Sequence, residues 1–182
     1  MRFRSPVTIL FTAFLAVLAL GGLHESAAAA EGYHLGPGDA IDVQVFGEPE
    51  LTRVLQIGAD GRINYAFVGE ITLQGLTVLE VEQEITRRLL GDYLVNPQVS
   101  VTMSEYRPFY IKGQVASPGS FPYQPGLTVA RAISLAGGLT ERASERKIYL
   151  VPEGGLEAER RQVGLDEPVH AGDVITVEES FF

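Results

Sequence analysis

Apolar and polar positions alternate early in the chain. Ile41, Val43 and Val45 alternate with Asp42 and Gln44, the period of a strand with one buried face. Leu55 and Ile57 repeat the pattern. Asp60-Gly61 predicts a hairpin turn, because that pair tolerates the positive φ a tight turn demands, and Ile63, Tyr65 and Phe67 continue on the return strand. At Thr77 the period changes. Val78, Val81, Ile85 and Leu89 share one helical face, Thr77 and Glu80 form a capping box, and Gly91 stops the helix. Glu82, Arg87 and Arg88 fall on its solvated side. Val99, Val101 and Met103 return to strand alternation.

The pattern restarts around Tyr106-Arg107-Pro108, which marks a domain boundary. Phe109 and Ile111 open a strand, and Pro118-Gly119 and Pro122 make a loop. Thr128 caps a second helix carrying Val129, Ala132, Ile133 and Ala136, and Gly137-Gly138 ends it. Lys147 to Val151, a weaker Arg160 to Val163 and Val174 to Val177 read as further strands. Short stretches echo between the halves. Gly75-Leu76-Thr77-Val78 and Gly126-Leu127-Thr128-Val129 each open a helix, and Val68-Gly69 and Lys112-Gly113 precede them. Gly38-Asp39 and Gly172-Asp173 each enter an Ile-x-Val strand. The expectation is an α+β protein of two small units, each with one helix against a small mixed sheet.

Before these units, Arg2 and Arg4 precede an almost unbroken apolar run, Val7 to Leu20, and then Ala27 to Ala30. That order predicts a cleavable secretory signal over residues 1–30 and a periplasmic mature protein. Domains are expected at 31–105 and 106–182. The full chain has 182 residues and a net charge of −9, and cleavage after Ala30 makes the remainder one charge more negative. Such a chain lacks the cationic surface that nucleic acid requires. No cysteine is present, which excludes disulfides, thiol catalysis and cysteine metal sites.

Catalytic chemistry finds few candidates. His34 and His170 stand alone in loops, without a second ligand at helical spacing. No Gly-x-Ser-x-Gly occurs, and Pro37 removes an amide that a phosphate cradle at Gly36-Pro37-Gly38-Asp39 would need. Glu80, Glu82 and Glu84 read as a solvated helix side, since acid/base pairs require carboxylates opposed across a cleft. Tyr106, Phe109, Tyr110, Phe121 and Tyr123 are dense enough for a sugar platform, but strand alternation makes most of them core. Neither a cofactor nor a metal nor a catalytic set is expected.

Taken in order, these motifs resemble the polysaccharide biosynthesis/export family. Tyr33-His34-Leu35-Gly36-Pro37-Gly38-Asp39 looks like the family's start, and Asp60-Gly61 followed by Val68-Gly69 is similar to its central hairpin. Gly75-Leu76-Thr77 and Asn96-Pro97-Gln98-Val99 match its close. The second unit resembles a soluble-ligand-binding β-grasp (SLBB) domain, through Gly113, Pro118, Gly119, Gly137, Gly138 and Gly172-Asp173. Ala66 and Gln114 depart from the usual proline and glutamate.

The resemblance implies a non-enzymatic component of a capsular or exopolysaccharide export machine, of the family's short class. It further implies a homo-oligomeric periplasmic ring or adaptor at the outer membrane. The implied partners are the exported polysaccharide, an inner-membrane chain-length (copolymerase) complex and a separate outer-membrane β-barrel. Phe181-Phe182 would dock on a neighbouring subunit or on the barrel. A second reading is a glycan- or ligand-binding module that forms no conduit; oligomeric state separates the two.

Overall fold

A computed structural model describes residues 32–180. The expected signal over residues 1–30 and the docking expected of Phe181-Phe182 lie outside the described residues.

The first half is built on a three-stranded antiparallel sheet, β2-β1-β5, from β1 (Ala40–Val45), β2 (Arg53–Gln56) and β5 (Val99–Glu105). A separate hairpin joins β3 (Arg62–Tyr65) to β4 (Gly69–Thr72). Helix α1 (Val78–Leu89) buries Val81, Ile85 and Leu89 completely against this assembly. Its start is the expected capping box: the Thr77 hydroxyl accepts from Glu80 N–H, and the Glu80 carboxylate accepts from Thr77 N–H. Leu35, Ile41, Val43, Ile63, Tyr65, Ile71 and Leu73 complete the core.

The second half holds a mixed five-stranded sheet of order β7-β6-β10-β8-β9. Its strands are β6 (Phe109–Gly113), β7 (Gly119–Phe121), β8 (Ala143–Val151), β9 (Arg161–Gln162) and β10 (Val174–Glu179). β10 runs parallel to β6 and antiparallel to β8, so it occupies the centre. Helix α2 (Val129–Leu135) buries Val129, Ala132 and Ile133 against the face that carries Ile111, Ile148, Leu150 and Ile175. Phe109 and Tyr123 are core here, and Phe121 stacks on Phe109 at 5.8 Å. Of the five aromatics weighed as a sugar platform, Tyr110 stands out as exposed.

The α+β architecture is as expected, with differences in detail. The first half carries two antiparallel sheets and no mixed one. The Asp60-Gly61 turn closes a single pair, Gly58 N–H to Arg62 carbonyl, after which the flanking strands part into different sheets. Arg62–Tyr65 pairs instead with β4, since Gly61 carbonyl accepts from Leu73 and Gln74 and draws that strand alongside. Phe67 therefore sits in the β3–β4 turn at φ 63°, exposed, and not in a strand. Glu82 is no mere solvated residue: its carboxylate accepts from Val101 N–H at 3.1 Å and covers the edge of β5.

Candidate functional site

Two turns of the same construction carry the sequence echo. In Gly36-Pro37-Gly38-Asp39, Asp39 N–H donates to Gly36 carbonyl, and Gly36 N–H donates back to the Asp39 carboxylate at 2.8 Å. In His170-Ala171-Gly172-Asp173, Asp173 N–H donates to His170 carbonyl, and His170 N–H donates to the Asp173 carboxylate at 2.8 Å. The third residue of each turn has a positive φ, 94° at Gly38 and 85° at Gly172, a conformation that only glycine adopts cheaply. The residue before each turn repeats the pattern: Leu35 N–H donates to Leu76 carbonyl, and Val169 N–H to Leu127 carbonyl. Each turn thus anchors a central strand to the Gly-Leu-Thr loop that opens its helix. The order is permuted, since the strand precedes its helix in the first half and follows it in the second.

The two aspartates are buried, Asp39 at 0% and Asp173 at 3% exposure, so each needs compensation for lost hydration. Asp39 is surrounded by donors. Besides Gly36 N–H it accepts from Tyr33 Oη (2.8 Å), Arg107 N–H (2.7 Å) and the Arg107 guanidinium (2.5 Å). Arg107 lies on the connection between the halves. Its other amino group reaches Glu153, whose N–H in turn donates to Asp173. A chain of polar contacts therefore runs from the first turn to the second. Asp173 has weaker support: two backbone amides, and His170 Nδ1 at 3.6 Å. Burial raises its carboxyl above the ordinary range, and these two amides offset only part of the rise.

Aromatic rings seal the joint. Tyr33 meets Tyr106 edge-on at 4.8 Å and stacks near Tyr123 at 6.1 Å, and it packs against the cores of both halves. Burial, then its bond to the Asp39 carboxylate, pushes the Tyr33 phenol up. The cluster holds a charge-paired arginine and donors already spent on Asp39, so its chemistry is that of a clamp. Sequence alternation missed Arg107 and Glu153, whose roles arise from contacts across 46 to 74 residues of chain, and Tyr33, which bonds Asp39 only six residues on but lies outside any strand or helix.

The remaining expected motif residues are spread over the fold. Gly75 and Thr77 open α1, while Gly137 and Gly138 follow the last turn of α2. Gly69 begins β4, and Asp60 and Gly61 form the turn before β3. Pro118 and Gly119 lie beside Tyr110 and Lys112 on the second sheet. Gly113 has a distinct reason: a Cβ there would lie 2.0 Å from the Val177 carbonyl oxygen. His34 and His170 are exposed and far apart in sequence. Among the described residues, no group of three or more His, Asp or Glu could hold a metal ion, and no helix is long and apolar enough to cross a membrane.

Comparison with known proteins follows this division. Residues 27–104 match the family of polysaccharide biosynthesis/export proteins, and residues 108–160 match the SLBB domain. Over 140 residues, 70% of the chain, the sequence is 37% identical to the exopolysaccharide production protein ExoF of Rhizobium meliloti. It is 29% identical over 157 residues to the EPS I polysaccharide export outer membrane protein EpsA of Ralstonia solanacearum. It is 27% identical over 161 residues to the polysialic acid transport protein KpsD of Escherichia coli. These matches span 32%, 41% and 26% of those relatives, so the chain corresponds to less than half of each.

Proposed function

Because the chain belongs to the polysaccharide biosynthesis/export family, we propose that it is a non-enzymatic component of a capsular or exopolysaccharide export machine. In this reading residues 1–30 direct it to the periplasm and are removed. Residues 31–105 form the export domain and residues 106–182 the β-grasp domain. The protein assembles as a homo-oligomeric ring or adaptor at the outer membrane. An inner-membrane chain-length complex lies on one side, and a separate β-barrel completes the path on the other.

The observation that carries the reading is the co-occurrence of both family segments in one chain, joined through Arg107 into a single clamped body. A conduit wall must hold its shape while polymer passes, and a joint with buried, multiply bonded charges resists hinge motion. Deletion of the gene in its host, with secreted polysaccharide measured by sugar analysis of the medium, tests the role. Secretion should fall severely and return on complementation. Unchanged secretion would overturn it. Sedimentation of the purified protein tests the ring, and a monomer at every concentration would remove that part.

A further inference from the structure

The face of the β2-β1-β5 sheet turned away from α1 has an unusual make-up. Along β1 it presents Asp42 and Gln44, with Phe46 just past the strand end; opposite them on β5 are Thr102 and Ser100, with Gln98 just before that strand. Gln44 lies directly opposite Ser100, and Phe46 N–H donates to Gln98 carbonyl at 2.9 Å, so these side chains stand on one rigid surface. Asp42 is the single charge among the six, and its carboxylate accepts from the Gln44 amide at 3.0 Å. Phe46 is 83% exposed. Beside it, residues 44–49 with Thr52 and Gln98 to Ser100 line an open concavity of about 570 Å³.

A solvent-facing surface commonly carries Lys, Arg, Glu and Asp at about a quarter to a third of its positions. Apart from Asp42, this one carries amides and hydroxyls, groups that both donate and accept without a charge of their own to desolvate. A single exposed phenylalanine is unremarkable in itself. Here it lines a concavity, at the end of a hydrogen-bonding ladder whose one charge, Asp42, is already bonded to Gln44. A sugar ring has the matching chemistry: a C–H face for an aromatic ring and hydroxyls for the ladder. Lipid would require a continuous apolar surface, and Phe46 with the nearby Val54 is too little to make one.

We infer that this face is a glycan-contact surface, with Phe46 as the stacking residue and Gln44, Gln98 and Ser100 as hydrogen-bonding partners of sugar hydroxyls. The inference rests on the proposed export role and gives it a location on the chain. Gln44 and Ser100 are strand-borne, and Phe46 and Gln98 directly flank the two strands and are tied by a backbone hydrogen bond, so contact costs little ordering entropy.

The test uses the full chain purified from its host and polysaccharide recovered from the same host's medium, cut to short oligosaccharides by partial hydrolysis. Backbone amide shifts should move at Gln44, Phe46 and Ser100. Phe46→Ala and Ser100→Glu should each weaken binding about tenfold, the worth of losing most of one buried aromatic or of placing a charge in the ladder. Both positions are exposed, so thermal midpoints should stay unchanged and confirm folding. Oligosaccharides that move no residue of this face would overturn the inference, even where the deletion strain stops secreting and the export role stands. Binding at this face in a host whose deletion strain secretes normally would uphold the inference and sink the export role. Self-association that disappears with Phe46→Ala, without any oligosaccharide effect, would also overturn it and give the face to a second copy of the chain.

Discussion

Arg107 shows how much one side chain can decide. It is 12% exposed, it pairs with a fully buried aspartate, and it reaches Glu153 on the other half. Arg107→Ala leaves the buried Asp39 charge with neutral donors alone, Tyr33 Oη and two backbone amides, and removing one partner of a buried pair costs about 3–5 kcal/mol. Chemical denaturation should show that loss. Asp173 behaves differently with pH. Its carboxyl is raised in the folded state, so between its unfolded and folded values the native protein binds more protons than the unfolded chain. Its contribution is therefore fully present below the unfolded value and is lost as pH rises through the folded one. Denaturation midpoints of the wild type relative to Asp173→Asn should improve as pH falls from neutrality toward about 4. A third residue tests close packing. Gly113→Ala must push its Cβ against the Val177 carbonyl and adopt a positive φ, at a cost of roughly 3–5 kcal/mol. Gly119→Ala meets open space and should cost less than ~1 kcal/mol.

At the scale of elements, the two helices begin alike and are held unequally. Thr77 and Glu80 cap each other reciprocally, whereas Thr128 accepts from Arg131 N–H at 3.5 Å and has no carboxylate partner. Thr77→Ala should cost about 1 kcal/mol and Thr128→Ala measurably less. Ile85→Ala, on the fully buried stripe of α1, should cost roughly 2–5 kcal/mol by the same assay. The helices and the longer strands were legible because a single periodicity, 3.6 or 2, ran through each of them. The β3–β4 hairpin was not. Ile63, Tyr65 and Phe67 keep strand alternation past the true strand end, and nothing local marks the point where Tyr65 Oη donates to Leu51 carbonyl and the chain turns. The paired turns were visible as Gly-Asp, but their partner Arg107 was not. A lone arginine before proline carries no signal until the fold brings Asp39 and Glu153 to it.

For the whole molecule, the position of β10 governs how the fold is completed. It comes last in sequence among the five strands of its sheet, it lies between β6 and β8, and it delivers Ile175 and Val177 to the core. A chain made from its N-terminus can therefore finish β1, β5 and α1 early, while β6 and β8 wait with facing edges unpaired. The second half stays an open claw until β10 arrives. Chains truncated before Val174 should show, by amide exchange, protection over 35–103 and almost none over 109–163. Strand order thus lets the front of the molecule hold its shape while its rear is still unfinished.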